Sequence, residues 1–408
     1  TMLFPDVPTY YRDFTPQNYN RTFDGAVPAN RVVERSLNVP SVRMLDKYGR
    51  ENFLSLVQGL GFRTIDRSAD HYGLSLILGG AEITLWDLTA AYMLMAAKLG
   101  GQETIRRPHY DASSAETVAA GDIPLSRGAL WLMFEAISRV TRPEEEGEWQ
   151  YFASSKKIGW KTGTSYGNRD AWAVGATPDY AVGAWVGNCS GEGRPLMTGV
   201  GYAAPVLFEV FGLLPGSEWF AEPYGDLEPA VVCRQSGFLA SQVCPDRDTL
   251  MIPRTAAPGE VCPYHRIVNL SPDLKYRVTT DCCDPARIVR RPMFILPPAQ
   301  EWYYRRQHPD YRPLPPLHPG LSGRGAGNDP IEIIYPQPGR VLVAPKSLEG
   351  RQQSLVFTAV HRDRNAVLFW HLDDRYLGAT SLEHKLSVRP APGRHRLTVI
   401  DERGASRS

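Results

Sequence analysis

Between residues 157 and 188 the hydrophobic pattern changes its period, and this change sets the tightest limit on the fold. Upstream, apolar residues recur every three or four positions; here they alternate. Lys157 to Thr164, Ala171 to Thr177 and Tyr180 to Asn188 read as three successive strands, the last two joined by Pro178-Asp179, short enough for a hairpin. Small residues alternate with tryptophan and valine, as expected of a sheet with helices on its faces. The flanking sequence supplies those helices. Ala29 to Leu37 reads as a short helix limited by Pro40, Ser41 to Tyr48 resumes the spacing, and residues 51 to 60 repeat it before Gly61. Thr84 to Leu99 is the clearest helix: Thr84 with Asp87 resembles a capping box, and Leu85, Leu88, Tyr92, Met95 and Leu99 share a face. Leu125 to Thr141, with Leu132, Ala136 and Val140 stacked along one side, and Tyr202 to Leu214 complete the set. Helices on both sides of a largely antiparallel sheet define an α+β domain.

Three regions separate by texture, giving expected domains at 1–220, 221–328 and 329–408. The middle region is rich in proline, cysteine and arginine with little periodicity, and the Gly-rich joint Gly320 to Asn328 closes it. Beyond it, alternating runs at Ile331–Tyr335, Leu355–Val360, Val367–Leu372, His384–Val388 and His395–Ile400 predict a small immunoglobulin-like β-sandwich. Lys+Arg 45 against Asp+Glu 44 leaves a charge of +1, so nothing favours a nucleic-acid partner. No window approaches ~18 unbroken apolar residues, so no segment reads as a membrane span.

Five of the six cysteines, Cys233, Cys244, Cys262, Cys282 and Cys283, fall in the middle region. Without a C-x-x-C pair no metal is expected; the cysteines read either as buried free thiols or, the favoured reading, as one or two disulfides, with Cys233–Cys244 the favoured pair. Cys189 stands apart and reads as a free, partly buried thiol. His308 and His318 read as solvated loop histidines, Trp302-Tyr303-Tyr304 as packing residues, and Glu144-Glu145-Glu146 as a solvated loop.

The chemistry-bearing string is Trp160-Lys161-Thr162-Gly163-Thr164-Ser165. On a strand, Lys161 and Gly163 face one way and Thr162 and Thr164 the other, with edge twist letting Lys161 and Thr164 approach one cleft. A fixed cation beside hydroxyls suits a substrate carboxylate, and Gly163 removes a side chain that would block a ligand against the backbone. Upstream, Ser36-Leu37-Asn38 places a serine and an asparagine at a break between helical segments, where both can point into one cleft; by itself this is also what a helix-end cap looks like.

Together, Ser36-Leu37-Asn38 followed by Lys161-Thr162-Gly163 resemble the penicillin-binding proteins and serine β-lactamases, which carry S-x-x-K, S-x-N and K-T-G in that order. The strings Val32 to Val42, Leu74 to Gly80 and Lys161 to Thr177 look like the class A bifunctional branch, specifically its 1C type. So does the layout of a Cys-bearing connector and terminal β-domain. The resemblance implies a periplasmic enzyme, anchored in the bacterial inner membrane, that cross-links peptidoglycan stem peptides by serine acyl transfer, is blocked by β-lactams, and in its parent also polymerises glycan. It implies that Ser36 relays a proton beside Lys161, that Asn38 holds the donor amide, and that Thr162 and Thr164 meet the terminal carboxylate. It implies no cofactor.

One motif is out of place. No serine precedes Ser36, and the sole S-x-x-K match begins at Ser154, immediately before the Lys161 strand and in the wrong order. The expectation is therefore a piece that starts after the nucleophile and is inactive alone. A β-lactamase or β-lactam sensor, and a non-catalytic module binding cell-wall peptides or assembly proteins, are the alternatives.

Overall fold

The computed structural model describes residues 2–11, 14–106, 117–119, 123–142, 156–256, 259–321, 330–345, 353–373, 375–402 and 405–408. Glu144 to Glu146, Ser154 and most of the Gly320–Asn328 joint lie outside them. The chain begins with β1 (Leu3–Asp6) and β2 (Gly25–Pro28), then α1 (Ala29–Glu34), α2 (Asn38–Tyr48), α3 (Arg50–Gly59), α4 (Ala69–Tyr72) and α5 (Leu85–Leu99). A small pair, β3 (Thr104–Arg106) and β4 (Thr117–Ala119), precedes α6 (Arg127–Ile137). The sheet strands β5 (Gly159–Thr164), β6 (Asp170–Ala176) and β7 (Ala181–Gly187) lead to α7 (Ala204–Leu213). After these come β8 (Leu227–Cys233), β9 (Arg247–Pro253), β10 (His265–Leu270), β11 (Val289–Phe294) and α8 (Pro298–Tyr304). The last strands are β12 (Ile331–Tyr335), β13 (Leu355–His361), β14 (Val367–Leu372), β15 (Arg375–Ser381), β16 (Lys385–Val388), β17 (Leu397–Asp401) and β18 (Ser406–Arg407). Among the described residues no helix is long and apolar enough to cross a membrane.

These elements form two compact units, one of residues 29–231 and 249–259, the other of residues 1–28, 232–248 and 260–408. In the first, β5, β6 and β7 form an antiparallel sheet in that order, with Lys161 opposite Val174 and Val174 opposite Gly183. The pleat assigns the faces. A Cβ on Gly159 would meet Phe134 of α6 at 2.6 Å, and one on Gly183 would meet Thr89 of α5 at 2.1 Å. Trp160, on the opposite face, packs edge-on against Phe208 of α7 with centroids 4.8 Å apart. Helices therefore cover both faces, as an α+β domain requires, and Trp160, Phe134, Leu130 and Leu207 are wholly buried between the layers.

The helix starts follow local chemistry. Thr84 Oγ1 accepts from the Asp87 N–H at 3.0 Å, capping α5 as its sequence predicts, while the Asp87 carboxylate turns to Arg63, 3.0 Å away. The buried face of α6 differs from the expected one: Leu130, Phe134 and Ile137 are inside, whereas Leu132 is exposed. Leu132 and Ala136 also recur at helical spacing, but it is Phe134, with Ile137 beside it, that lies over Gly159. Lys156 holds the far end of α7, donating to the carbonyls of Phe211 at 2.6 Å and of Leu214.

The second unit corrects the expected boundaries. Residues 1–28 belong here, not with the sheet domain. Leu3 N–H donates to Ser236 O at 2.9 Å, and β2 lies so close under α8 that a Cβ on Gly25 would sit 2.2 Å from Gln300 O. Trp302 and Tyr303 pack in an apolar cluster with Val7, Ile334 and Val360, and Tyr304 stacks on His308 with centroids 3.8 Å apart. The end of the chain is a two-sheet sandwich, β12-β13-β16 facing β15-β14-β17-β18, around Trp370, Leu368 and Val399. Strand β16 returns to pair with β13 and β17 returns to pair with β14, a Greek-key order of immunoglobulin type.

The favoured disulfide is not formed. All six cysteines are free; Cys189 is exposed rather than partly buried, and Cys233, Cys244 and Cys262 are buried together. Three sulfurs gather around His265 instead of bonding in pairs, so no two of them lie at bonding distance.

Candidate active site

The site is built on a helix end and a sheet edge. Helix α1 closes with two hydrogen bonds, Leu37 N–H to Val32 O at 3.0 Å and Ser36 N–H to Val33 O at 3.2 Å. That pairing is a Schellman close, and it puts Ser36 in the left-handed region at φ 53, a place normally given to glycine. The break thus falls at Ser36. Helix α2 resumes at once with Asn38 as its first residue, and Pro40 fits within the first turn, where no backbone N–H is needed. The strained turn leaves the Ser36 side chain exposed at the surface of the unit.

Lys161 completes the contact. It lies on β5, the edge of the sheet, on the face that carries α5 and α6, and its Nζ donates to Ser36 Oγ and, at 3.1 Å, to Thr162 O. Burial lowers the Lys161 ammonium from its ordinary value to about 8. A lysine near neutrality against a serine hydroxyl can pass a proton in either direction, which is what general acid–base chemistry requires.

Thr162 and Thr164 occupy the other face. Thr164 Oγ1 accepts from the Gly199 N–H at 3.0 Å, so its acceptor side is engaged while its own proton remains for a ligand. Gly199 opens the turn Gly199–Ala203, capped by Thr198, whose side chain accepts from Gly201 N–H at 3.2 Å. A Cβ on Gly199 would sit 2.5 Å from Gly163 O and 2.6 Å from Trp172 O, so the turn can lie against the strand only as glycine. Gly163 itself is exposed at the edge, its nearest neighbour being Trp172 on the paired strand, 3.6 Å from where a Cβ would be. The β5–β6 turn is fixed by Ser165 Oγ, which accepts from Asp170 N–H at 2.8 Å, and by Asn168 Nδ2, which donates to Met197 O at 2.8 Å.

The structure therefore joins Ser36 to Lys161 directly and sets Asn38 two residues from that contact. It anchors Thr164 to Gly199 rather than to Lys161. Gly199 is the residue sequence reasoning passed over; the run Thr198-Gly199-Val200-Gly201 was its only mark.

Known proteins resemble parts of this chain. Residues 322–408 match the Penicillin-Binding Protein C-terminus Family. The chain is thus similar to penicillin-binding proteins. In particular, it is 32% identical over 214 residues to penicillin-binding protein 1C of Escherichia coli (strain K12), covering 52% of this chain and 26% of that protein. It is 28% identical over 187 residues to penicillin-binding protein 4 of Bacillus subtilis (strain 168), covering 43% and 28%. The matched part thus spans about a quarter of the length of these relatives. Among solved structures it is similar to penicillin-binding protein 1A of Haemophilus influenzae, with TM-score 0.49, 17% identity, and 64% of this chain and 46% of that one covered.

Proposed function

We propose that this chain carries the Ser-x-Asn and Lys-Thr-Gly portion of a peptidoglycan D,D-transpeptidase active site, acting outside the cytoplasm in cell-wall synthesis. The observation that supports the reading is the hydrogen bond from Lys161 to Ser36, two residues 125 positions apart in the sequence. In this reading Lys161 and Ser36 relay the proton that is delivered to the departing D-Ala amine on acylation and taken from the attacking acceptor amine on transfer. Asn38 holds the donor peptide's amide. The hydroxyls of Thr162 and Thr164 receive the terminal carboxylate, and the Thr164 N–H contributes to stabilising the oxyanion. The reaction needs a serine that forms the acyl-enzyme, and well-placed neighbours do not replace that oxygen. No serine precedes Ser36 in these 408 residues, so the chain by itself binds but does not acylate. In the parent, glycan polymerisation and membrane anchoring would accompany this chemistry.

The test has two arms. Incubated with a fluorescent penicillin and run on a denaturing gel, the 408-residue chain gives no labelled band; a band at its mass overturns the inference of inactivity. A peptide ending in D-Ala–D-Ala, titrated into labelled protein, shifts the NMR signals of Lys161, Thr162 and Thr164. Unmoved signals at millimolar peptide would remove the substrate-site reading itself.

A further inference from the structure

Four potential metal ligands meet in the second unit, well away in sequence from the residues of the transpeptidase site. The atoms are the sulfurs of Cys233, Cys244 and Cys262 and a ring nitrogen of His265; all lie within 4.8 Å of one another and all four residues are buried. Three thiols and an imidazole are an unusual group to enclose without a partner. They are soft and nitrogen donors, the set that selects zinc over magnesium or calcium. We propose that these four residues form a closed, structural zinc site.

The distances suit that ion. Zinc–sulfur bonds of about 2.3 Å and zinc–nitrogen bonds of about 2.0–2.1 Å at a tetrahedral angle place sulfur and nitrogen about 3.5 Å apart. His265 Nδ1 is 3.4 Å from Cys233 Sγ and 3.5 Å from Cys262 Sγ. The other ring nitrogen is already committed: His265 Nε2 lies 2.9 Å from Gln235 Oε1, which accepts its proton and so turns Nδ1 toward the sulfurs. A ligating histidine characteristically donates its second N–H in this way. The sulfurs are served too. Ser241 N–H donates to Cys244 Sγ at 3.3 Å, and Ser236 Oγ donates to Cys262 Sγ at 3.2 Å, contacts that stabilise thiolates.

The backbone is folded around the group. Cys233 N–H donates to Phe238 O at 2.8 Å and Gly237 N–H returns to Cys233 O at 2.8 Å, a tight turn with Gly237 at φ 68. Cys262 N–H donates to Leu239 O at 2.8 Å, bringing the Cys262-Pro263-Tyr264-His265 turn alongside. Four protein ligands leave no open position, so the site holds structure rather than performing catalysis. It also explains how a stretch with little hydrophobic periodicity holds a fold: the ion would tie residues 233–244 to 262–265 beside a small apolar cluster of Leu3, Phe238, Tyr264 and Leu296.

The experiment uses the whole 408-residue chain, purified without chelator. Native mass spectrometry and elemental analysis should find about one zinc per chain, the stoichiometry of a four-ligand structural site. Cobalt substitution should give the charge-transfer band of thiolate ligation. Cys262→Ser and His265→Ala should lose the metal, Cys189→Ser should keep it, and Gln235→Ala should weaken it by roughly 10–100-fold. If the ligand variants do not fold, peptide mapping of the unsubstituted chain decides. Stoichiometric zinc with Cys233, Cys244 and Cys262 all alkylated after unfolding without reductant supports the site. A metal-free chain, whether with a Cys233–Cys244 disulfide or with free thiols, overturns it, as does full zinc occupancy in a folded Cys262→Ser chain.

Discussion

The ammonium of Lys161 donates to the hydroxyl of Ser36 across 125 residues of sequence. A left-handed turn presents the serine and the sheet edge presents the lysine, while the glycine turn anchors Thr164 on the other face of the strand.

Lys161 should titrate near 8 rather than near its ordinary 10.5. Between those values the folded chain binds fewer protons than the unfolded one, so this group's contribution to stability rises with pH across that window, and its burial cost is fully present below about 8. Urea melts over the window should show the rising slope in the unsubstituted chain and lose it in Lys161→Met. A flat profile in both would mean that the lysine is solvated in solution.

Ser36 tests the cost of the turn. Both Ser36→Ala and Ser36→Gly lose the hydroxyl, but glycine accepts φ 53 without strain. The glycine variant should be the more stable of the two by about 1 kcal/mol, the lower end of the left-handed penalty. Equal stabilities by denaturant unfolding would show that the turn relaxes in solution.

Gly199→Ala should be disruptive out of proportion to one methyl. The added carbon meets two backbone carbonyls, Gly163 O at 2.5 Å and Trp172 O at 2.6 Å, which cannot move without opening the β5–β6 pairing. A loss of at least about 1–3 kcal/mol is expected, with shifted NMR signals at Thr164. An unchanged melting curve would contradict the close packing of this turn.

Thr84→Ala should cost about 1 kcal/mol, the ordinary value of a lost N-cap, because Thr84 Oγ1 serves the Asp87 N–H. Thr84→Ser should recover most of it. Thermal melts of the three proteins separate these outcomes, and identical midpoints would show that the cap contributes nothing.

Much of the architecture is legible because it depends on local periodicity. The three central strands fall within a few residues of their expected limits, as do five of the sandwich strands. Within the sandwich, the two strands without a sequence signal, β15 and β18, are mostly exposed and lack apolar alternation, so their pairing comes from a neighbour rather than from their own pattern. The paired strands β1 to β4 and β8 to β11 likewise carry no alternation that marks them. The inner face of α6 differs from its expected one for a similar reason: leucines and alanines recur at helical spacing on more than one side of that segment, and the identity of the facing strand decides which side is buried.

The cysteines show the limit of counting spacings. Cys262-x-x-His265 is as tight a pair as C-x-x-C, yet a search for cysteine pairs alone passes over it. Cys233 and Cys244 are neighbours, as the short loop between them suggests, but which atoms complete their surroundings depends on a strand that begins at His265.

The sequence by itself determined the main helices and central strands of the first unit, five strands of the sandwich, and the order of Ser36, Asn38 and Lys161 along the chain, because hydrophobic period, capping and motif chemistry act over a few residues. Only the tertiary structure decided that Ser36 meets Lys161, that residues 1–28 join the second unit, and that three sulfurs surround one imidazole. Such contacts depend on how distant segments share a common core, and no local preference encodes the distance between two groups separated by a hundred residues.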